Sequence, residues 1–354
     1  MPTGIGRWPV AGQWAALLAL SALVVVPLEL MGFPAALMLG PMLAAIVLAV
    51  FDTRLHIPHP PFIVAQAMIG CMMARALPPE AFAEMLRDWP IYVLGIGSVI
   101  VVAAGLGILL ARLQVLPGTT AIWASAPGAA ASMVLMADAF GADARLVAFM
   151  TYLRVAMVAL VASVAGRLFG VSADTPPIDW MPPVAAIPFA QTMGVVAVSL
   201  LASRLIRIPA GAVLLPMLFG VALQAFGGFT IELPPLLLAI CFALVGWSIG
   251  LRFTRPILRH AMRALPAVVG SIAALIAACC VFAFLLVWLT GVDPLTAYLA
   301  TSPGGADSVA IIAANSDVDE PFVMAMQAGR LLVVMLVGPP LARFIATRGW
   351  ARAL

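Results

Sequence analysis

The chain alternates long apolar runs with short polar breaks from end to end. The runs cover roughly residues 13–30, 34–51, 61–77, 91–112, 119–138 and 145–169, then 185–203, 209–226, 236–251, 264–290, 295–314 and 321–345. Most approach the ~20 residues that an α-helix needs to cross a ~30 Å hydrocarbon layer. The pattern predicts an all-α polytopic membrane protein. Two runs differ in kind: SAPGAAASMVLM (125–136) and TSPGGADSVAII (301–312) each carry a Pro-Gly pair inside apolar sequence. Proline removes a backbone donor and glycine tolerates non-helical backbone, so each run is either one broken span or a re-entrant hairpin. Irregular backbone at that depth survives only where protein buries it or where it lines a wet cavity.

The two Pro-Gly runs are copies of each other. With Pro127 set against Pro303, Thr120 meets Thr296, Ser132 meets Ser308, Asp143 meets Asp319 and Arg154 meets Arg330. Upstream, FPAALMLGPML (33–43) matches IPAGAVLLPML (208–218), with Pro34 on Pro209 and Pro41 on Pro216. A shift of a single position joins the two alignments. Paired prolines, aspartates and arginines are costly coincidences in a chain so rich in Ala, Val and Leu. The reading is a duplication, with a first membrane repeat over 13–169, an external linker over 170–183 and a second repeat over 185–347.

Charge distribution orients the repeats. If both Pro-Gly segments cross the membrane, each half has six spans and the repeats are parallel. If both re-enter, each half has five spans and the second is inverted. With the N-terminus inside, the inverted arrangement puts Arg7, Arg54, Arg112, Arg145, Arg204, Arg207, the Arg252–Arg263 cluster, Arg343, Arg348 and Arg352 on the cytoplasmic side. Only Arg75, Arg87 and Arg167 fall outside. The positive-inside rule favours this arrangement. The expectation is therefore two inverted repeats of five spanning helices, each with a broken or re-entrant Pro-Gly element, and both termini cytoplasmic.

Composition narrows the function. Charged residues make up 9% of the 354 and mean hydropathy is +1.14, whereas a soluble domain carries about 25% charged residues. No polar segment is long enough for a DNA-binding module with a basic face, so nucleic acid is not an expected partner. Cys71, Cys241, Cys279 and Cys280 lie in apolar runs without metal spacing and read as small packing residues. His56, His59 and His260 flank apolar runs and do not cluster, so no metal site or cofactor is expected and the protein is not read as an enzyme. The apolar run after Arg7 resembles a signal peptide but has a counterpart in the second half, and reads as a retained helix.

The chemistry-bearing residues collect at the breaks. Half-helix ends leave N–H groups with partial positive charge and carbonyls with partial negative charge. The candidate substrate or ion site comprises Ser125, Pro127, Gly128 and Ser132 in the first copy, and Ser302, Pro303, Gly304, Gly305, Asp307 and Ser308 in the second. Asp307 faces Ala131 in the alignment. A carboxylate at that depth costs about 2.5–3.5 kcal/mol on insertion scales. It reads as a proton or Na⁺ site, or as an ion-pair partner of Arg330 or Arg154. Arg154 and Arg330 lie about 14 Å into their helices, near the midplane. Two roles suit a guanidinium there: holding a carboxylate or phosphate, or capping the carbonyls that a break sets free. Asp143 and Asp319 sit at the rims and read as helix caps or solvated loop residues.

The repeated Pro-Gly block with its downstream Asp and Arg, each copy preceded by a helix carrying a P-x-x-x-x-x-x-P pair, resembles the AbrB-type membrane protein family with its AbrB duplication domain. The similarity covers about 13–347. It implies a distant relation to inverted-repeat transporters of the cation/proton antiporter and anion transporter type. Pro127, Gly128, Pro303 and Gly304 carry the motif. The first copy departs at Ala129 and Ala131, against Gly305 and Asp307, which sets the two copies apart as ligand sites. Family members also bear the names of a transcriptional regulator and an ammonia monooxygenase. Neither name matches a DNA-binding module or a ligand cluster in this chain.

The expected function is secondary transport of a small solute, with an organic anion preferred, coupled to H⁺ or Na⁺ and driven by movement of one bundle against another. The expected place is a bacterial inner membrane, with the bilayer and a small-molecule substrate as partners and a homodimer as a compatible assembly. The alternative is a non-transporting membrane regulator or sensor that affects gene expression indirectly, with the basic 252–263 loop as its docking surface.

Overall fold

The computed structural model describes residues 8–30, 36–77, 85–116, 118–128, 130–168, 180, 182–205, 210–304, 309, 313 and 318–347. The described regular structure is helical: α1 Val10–Leu30, α2 Ala36–Val50, α3 His59–Arg75, α4 Trp89–Arg112, α5 Gly118–Ser125, α6 Ala130–Ala139, α7 Ala144–Leu168, α8 Ala186–Leu205, α9 Gly211–Gly227, α10 Pro235–Gly250, α11 Arg255–Thr290, α12 Pro294–Thr301 and α13 Glu320–Thr347. Helix bounds recur in the register read from the sequence. The short helices α5 and α12 start at the aligned positions Gly118 and Pro294 and end at the aligned positions Ser125 and Thr301. The starts of α2 and α9, Ala36 and Gly211, align in the register of the upstream proline match.

Among the described residues, five helices are long and apolar enough to cross a membrane: α1, α4, α8, α11 and residues 320–338 of α13. Their outward faces are apolar too, as at Leu23, Val101, Phe284 and Trp288, which are all exposed. Large apolar side chains on the outside of long apolar helices are the mark of a membrane protein. Ten spans are expected from the sequence. The helices α2, α3, α9 and α10 have 15–17 residues each, or about 22–26 Å of rise. They fall short of the full hydrocarbon thickness by length alone.

Local chemistry sets the helix ends. Pro58 and Pro234 take equivalent extended N-cap positions before α3 and α10, each followed by proline at the first turn. There the missing N–H costs nothing. Asp293 caps α12, its Oδ2 accepting from the N–H groups of Leu295 at 2.9 Å and Thr296 at 3.0 Å. Gly228 ends α9 in the left-handed region at φ +60°, the conformation that favours glycine after a helix.

The helices form two compact units that interleave the sequence repeats. One holds residues 1–78 and 177–262; the other holds 79–176 and 263–354. Each unit takes one part from the 13–169 repeat and one from the 185–347 repeat. Of the linker 170–183, residues 170–179 and 181 lie outside the described part. In the first unit α10 packs on α2 and α9 packs on α3. Glycine permits both approaches: Gly70 lies against the carbonyl oxygen of Val213, and a Cβ on Gly246 would sit 2.6 Å from the carbonyl oxygen of Met38. Gln13 is fully buried and accepts from Thr53 Oγ1 at 2.7 Å and the Arg54 N–H at 3.0 Å. That fixes the turn after α2. In the second unit, α4 packs on α5, α5 and α6 pack on α7, and α12 packs on α13.

Candidate functional site

The first Pro-Gly run, 119–138, is two half-helices, broken where Pro127-Gly128 predicts. α5 ends at Ser125, residues 126–128 are non-helical, and α6 starts at Ala130. Pro127 cannot donate to the carbonyl of Trp123, and the break leaves the last carbonyls of α5 without helical partners. Arg154 of α7 supplies donors. Its Nη1 donates to the carbonyls of Ser125 at 3.2 Å and Ala126 at 2.7 Å, and its Nη2 lies 3.4 Å from the carbonyl of Gly128. The side chain is 1% exposed.

The second run repeats the arginine-capped helix end. α12 ends at Thr301, and Ser302, Pro303 and Gly304 follow as buried non-helical backbone. Arg330 of α13 donates through Nη1 to the carbonyl of Ser302 and through Nη2 to the carbonyl of Gly304 at 3.0 Å. These acceptors are the repeat counterparts of Ala126 and Gly128. The rims repeat as well. The N–H of Asp143 donates to Thr120 Oγ1 at 3.1 Å, and that of Asp319 donates to Thr296 Oγ1 at 3.2 Å.

The geometry shows the second of the two roles: both arginines cap breaks. A guanidinium is planar and carries five donors, so it spans carbonyls that point apart around a helix end. Each arginine joins the helix that bears it to the broken element before it. Asp143 and Asp319 are helix caps: Asp143 Oδ1 accepts from the Arg145 N–H at 3.0 Å and Asp319 Oδ1 from the Phe322 N–H at 3.1 Å. Gly305, Asp307 and Ser308 lie outside the described residues. Ser125, Pro127, Gly128, Ser302, Pro303 and Gly304 gather at the breaks, and Ser132 is buried in the first turn of α6.

One participant was missed in the sequence. Gln327 Nε2 donates to the carbonyls of Leu299 at 2.8 Å and Ser302 at 3.4 Å, and its Oε1 accepts from Arg330 Nη2. It completes the cap of the second break. The available signal was its place one helical turn before Arg330, as the polar residue of an otherwise apolar FVMAMQAG stretch. Thr301, one of the hydroxyls that the second run offers, donates through Oγ1 toward the carbonyls of Ala297 at 2.9 Å and Cys279 at 3.3 Å, tying α12 to α11. An apolar cleft borders the first break, walled by Ile100, Ala103, Ile122, Trp123, Pro127 and Val334.

Asp143 is also paired with Arg145 at 2.8 Å. Burial alone would raise its pKa, but the Arg145 side chain and the backbone N–H groups of Arg145 and Leu146 outweigh it and hold the carboxyl below its ordinary value. A depressed folded pKa stabilises the fold above the unfolded pKa of about 3.9. That contribution disappears as pH falls through the folded value. Thermal melts from pH 7 to pH 3 should show Asp143→Asn less stable than wild type by under about 1 kcal/mol at neutral pH, with the gap closing below about pH 4. A gap that does not begin to narrow below about pH 4 would mean that the ion pair is not its source.

The family model described as "Transition state regulatory protein AbrB" matches residues 37–346, most of the chain including both breaks. The chain belongs to the AbrB family. It is also similar to the Escherichia coli (strain K12) protein named "Putative regulator AbrB", with 44% identity over 338 residues, covering 95% of this chain and 97% of that protein. The region matched by the family model includes both breaks and both arginines, so the capping geometry of this AbrB-family chain lies within the part that defines the family.

Proposed function

We propose that this AbrB-family protein is a secondary transporter of the bacterial inner membrane. It moves a small solute, with an organic anion preferred, coupled to H⁺ or Na⁺, and does so without enzymatic chemistry or a cofactor. One observation carries the reading: two half-helix breaks stand at equivalent places in one unit, each with its carbonyl end closed by a buried arginine. Broken helices deep in an apolar chain are costly, and transporters use them to bind solutes near the midplane. The cap gives the break a fixed shape. It also removes the carbonyl end as a cation site, so binding capacity shifts to the N-terminal side, where α6 starts at Ala130 after the first break; a helix N-terminus favours anions. The anion preference rests on that end, because the arginines donate to carbonyls. Inverted repeats, ten spans and cytoplasmic termini remain the topology that the arginine distribution supports.

Flux decides this reading. The protein is reconstituted in liposomes and challenged with small carboxylates under imposed pH or Na⁺ gradients. Wild type should show gradient-driven uptake. Asp307→Asn should cut gradient-dependent uptake at least tenfold while melting at the wild-type temperature. Gradient-independent background uptake across the panel, with Asp307→Asn melting markedly lower, would favour the regulator. For that alternative, the Arg252–Arg263 stretch is already partly engaged: Arg255 Nε donates to the Val50 carbonyl at 3.0 Å, and Arg252 lies over the Phe62 ring.

A further inference from the structure

The two breaks are capped by equivalent arginines, but they are not equally satisfied. In the second, Pro303 has no N–H to offer the carbonyl of Leu299, and the carboxamide of Gln327 takes that role at 2.8 Å while also accepting from Arg330. In the first, Pro127 likewise has no N–H for the carbonyl of Trp123. The repeat counterpart of Gln327 is Thr151. Threonine is shorter, and it has no carboxamide to place between the helix end and the guanidinium.

Three buried side-chain atoms on α5 and α7 are unpartnered among the described residues, two of them hydroxyls whose repeat counterparts, Gln327 and Thr301, are bonded. Thr151 is 0% exposed and its Oγ1 has no hydrogen-bond partner among the described residues. Arg154, one helical turn on along the same face of α7, leaves its Nε without a partner there, as Arg330 does at the second break. Ser125, the last residue of α5, is 2% exposed and its Oγ is also unpartnered among the described residues. A buried hydroxyl without a partner costs about 1–3 kcal/mol. Native interiors therefore rarely leave several together, and they fill such sites with ordered water.

We propose that the first break holds a buried water between the Trp123 carbonyl, the Thr151 hydroxyl and the Arg154 guanidinium, in the place that the Gln327 carboxamide fills at the second break. The chemistry selects a neutral molecule that both donates and accepts. An anion has no proton for the carbonyl, and a cation would sit against the guanidinium. Water meets both needs and takes the place of the shorter side chain's missing carboxamide. One break is thus held by a tethered side chain and the other by an exchangeable molecule. The inference rests on capping geometry alone and stands whether or not the protein transports a solute.

A structure of the full-length protein at a resolution that shows water tests it directly, with melting temperatures alongside. Wild type should show density within hydrogen-bond distance of both Thr151 Oγ1 and the Trp123 carbonyl. Thr151→Gln should replace that density with its own carboxamide and melt at or above the wild-type temperature. Gln327→Thr should create a matching water at the second break, and Thr151→Val should melt about 2–4 °C below wild type. If Thr151→Gln is too crowded to fold, the wild-type map and Gln327→Thr still decide. An empty site in wild type, or a Thr151 hydroxyl turned to a carbonyl of its own helix, would overturn the proposal. So would Thr151→Val melting with wild type.

Discussion

Arg330→Met should yield a protein that no longer holds its second break. Methionine keeps much of the apolar length but removes every donor, and the carbonyls of Ser302 and Gly304 and the oxygen of Gln327 lose their shared partner at once. The Ser302 carbonyl keeps Gln327 Nε2 at 3.4 Å, so two groups are left unsatisfied; at about 1–3 kcal/mol each, the expected loss is about 2–6 kcal/mol, a large part of the stability of a typical domain. Arg154→Met should do the same through Ser125, Ala126 and Gly128. Thermal unfolding in detergent and the monodisperse fraction on gel filtration report it. Arg330→Lys separates charge from geometry: one ammonium cannot reproduce the planar fork, so lysine should recover only part of the loss. A methionine variant that melts with wild type would remove capping as the reason these arginines are buried.

The second large effect lies in the other unit. Gly70 lies against the carbonyl oxygen of Val213, and Gly250 lies against that of Met42. At both places a Cβ would strike backbone, which cannot rotate away as a side-chain tip can. Small residues let helix backbones approach closely where lipid supplies no hydrophobic drive to hold them. Overpacking costs about 1–3 kcal/mol and more where backbone must shift. Gly70→Val should therefore exceed about 3 kcal/mol, read as loss of folded protein in detergent. Gly97 has open space around an added Cβ, so Gly97→Ala is the control and should melt at or slightly above the wild-type temperature. Equal behaviour of Gly70→Val and Gly97→Ala would mean that the α3–α9 contact is looser than described.

Some of this was legible in residue order alone. Pro-Gly inside an apolar run forces a break wherever the chain ends up, because a missing N–H and a missing Cβ act locally. Pro127 and Pro303 therefore announced two breaks, and the spacing to Arg154 and Arg330 announced that whatever the arginines do, they do it twice. The role itself was not legible. An anion ligand and a carbonyl cap ask the same thing of a sequence, a buried arginine near a break, and differ only in what lies within hydrogen-bond reach of the guanidinium. Gln327 was missed for a related reason: a glutamine in a helix is ordinary until its amide is seen facing a proline-orphaned carbonyl.

Membrane class, the sites of the breaks, the recurrence of elements in one register and the family are all written in residue order. All of these follow from local backbone chemistry, from apolar length and from residue identity. Three-dimensional packing was needed to show that the compact units cut across the repeats, each unit drawing on both halves of the chain. It also decided that the arginines cap carbonyls and that the two breaks are completed differently, by Gln327 in the second and without a matching carboxamide in the first. These depend on which groups are brought together across 26 or 28 residues of chain. Hydrogen bonds form by distance and angle, and a linear order of residues specifies neither.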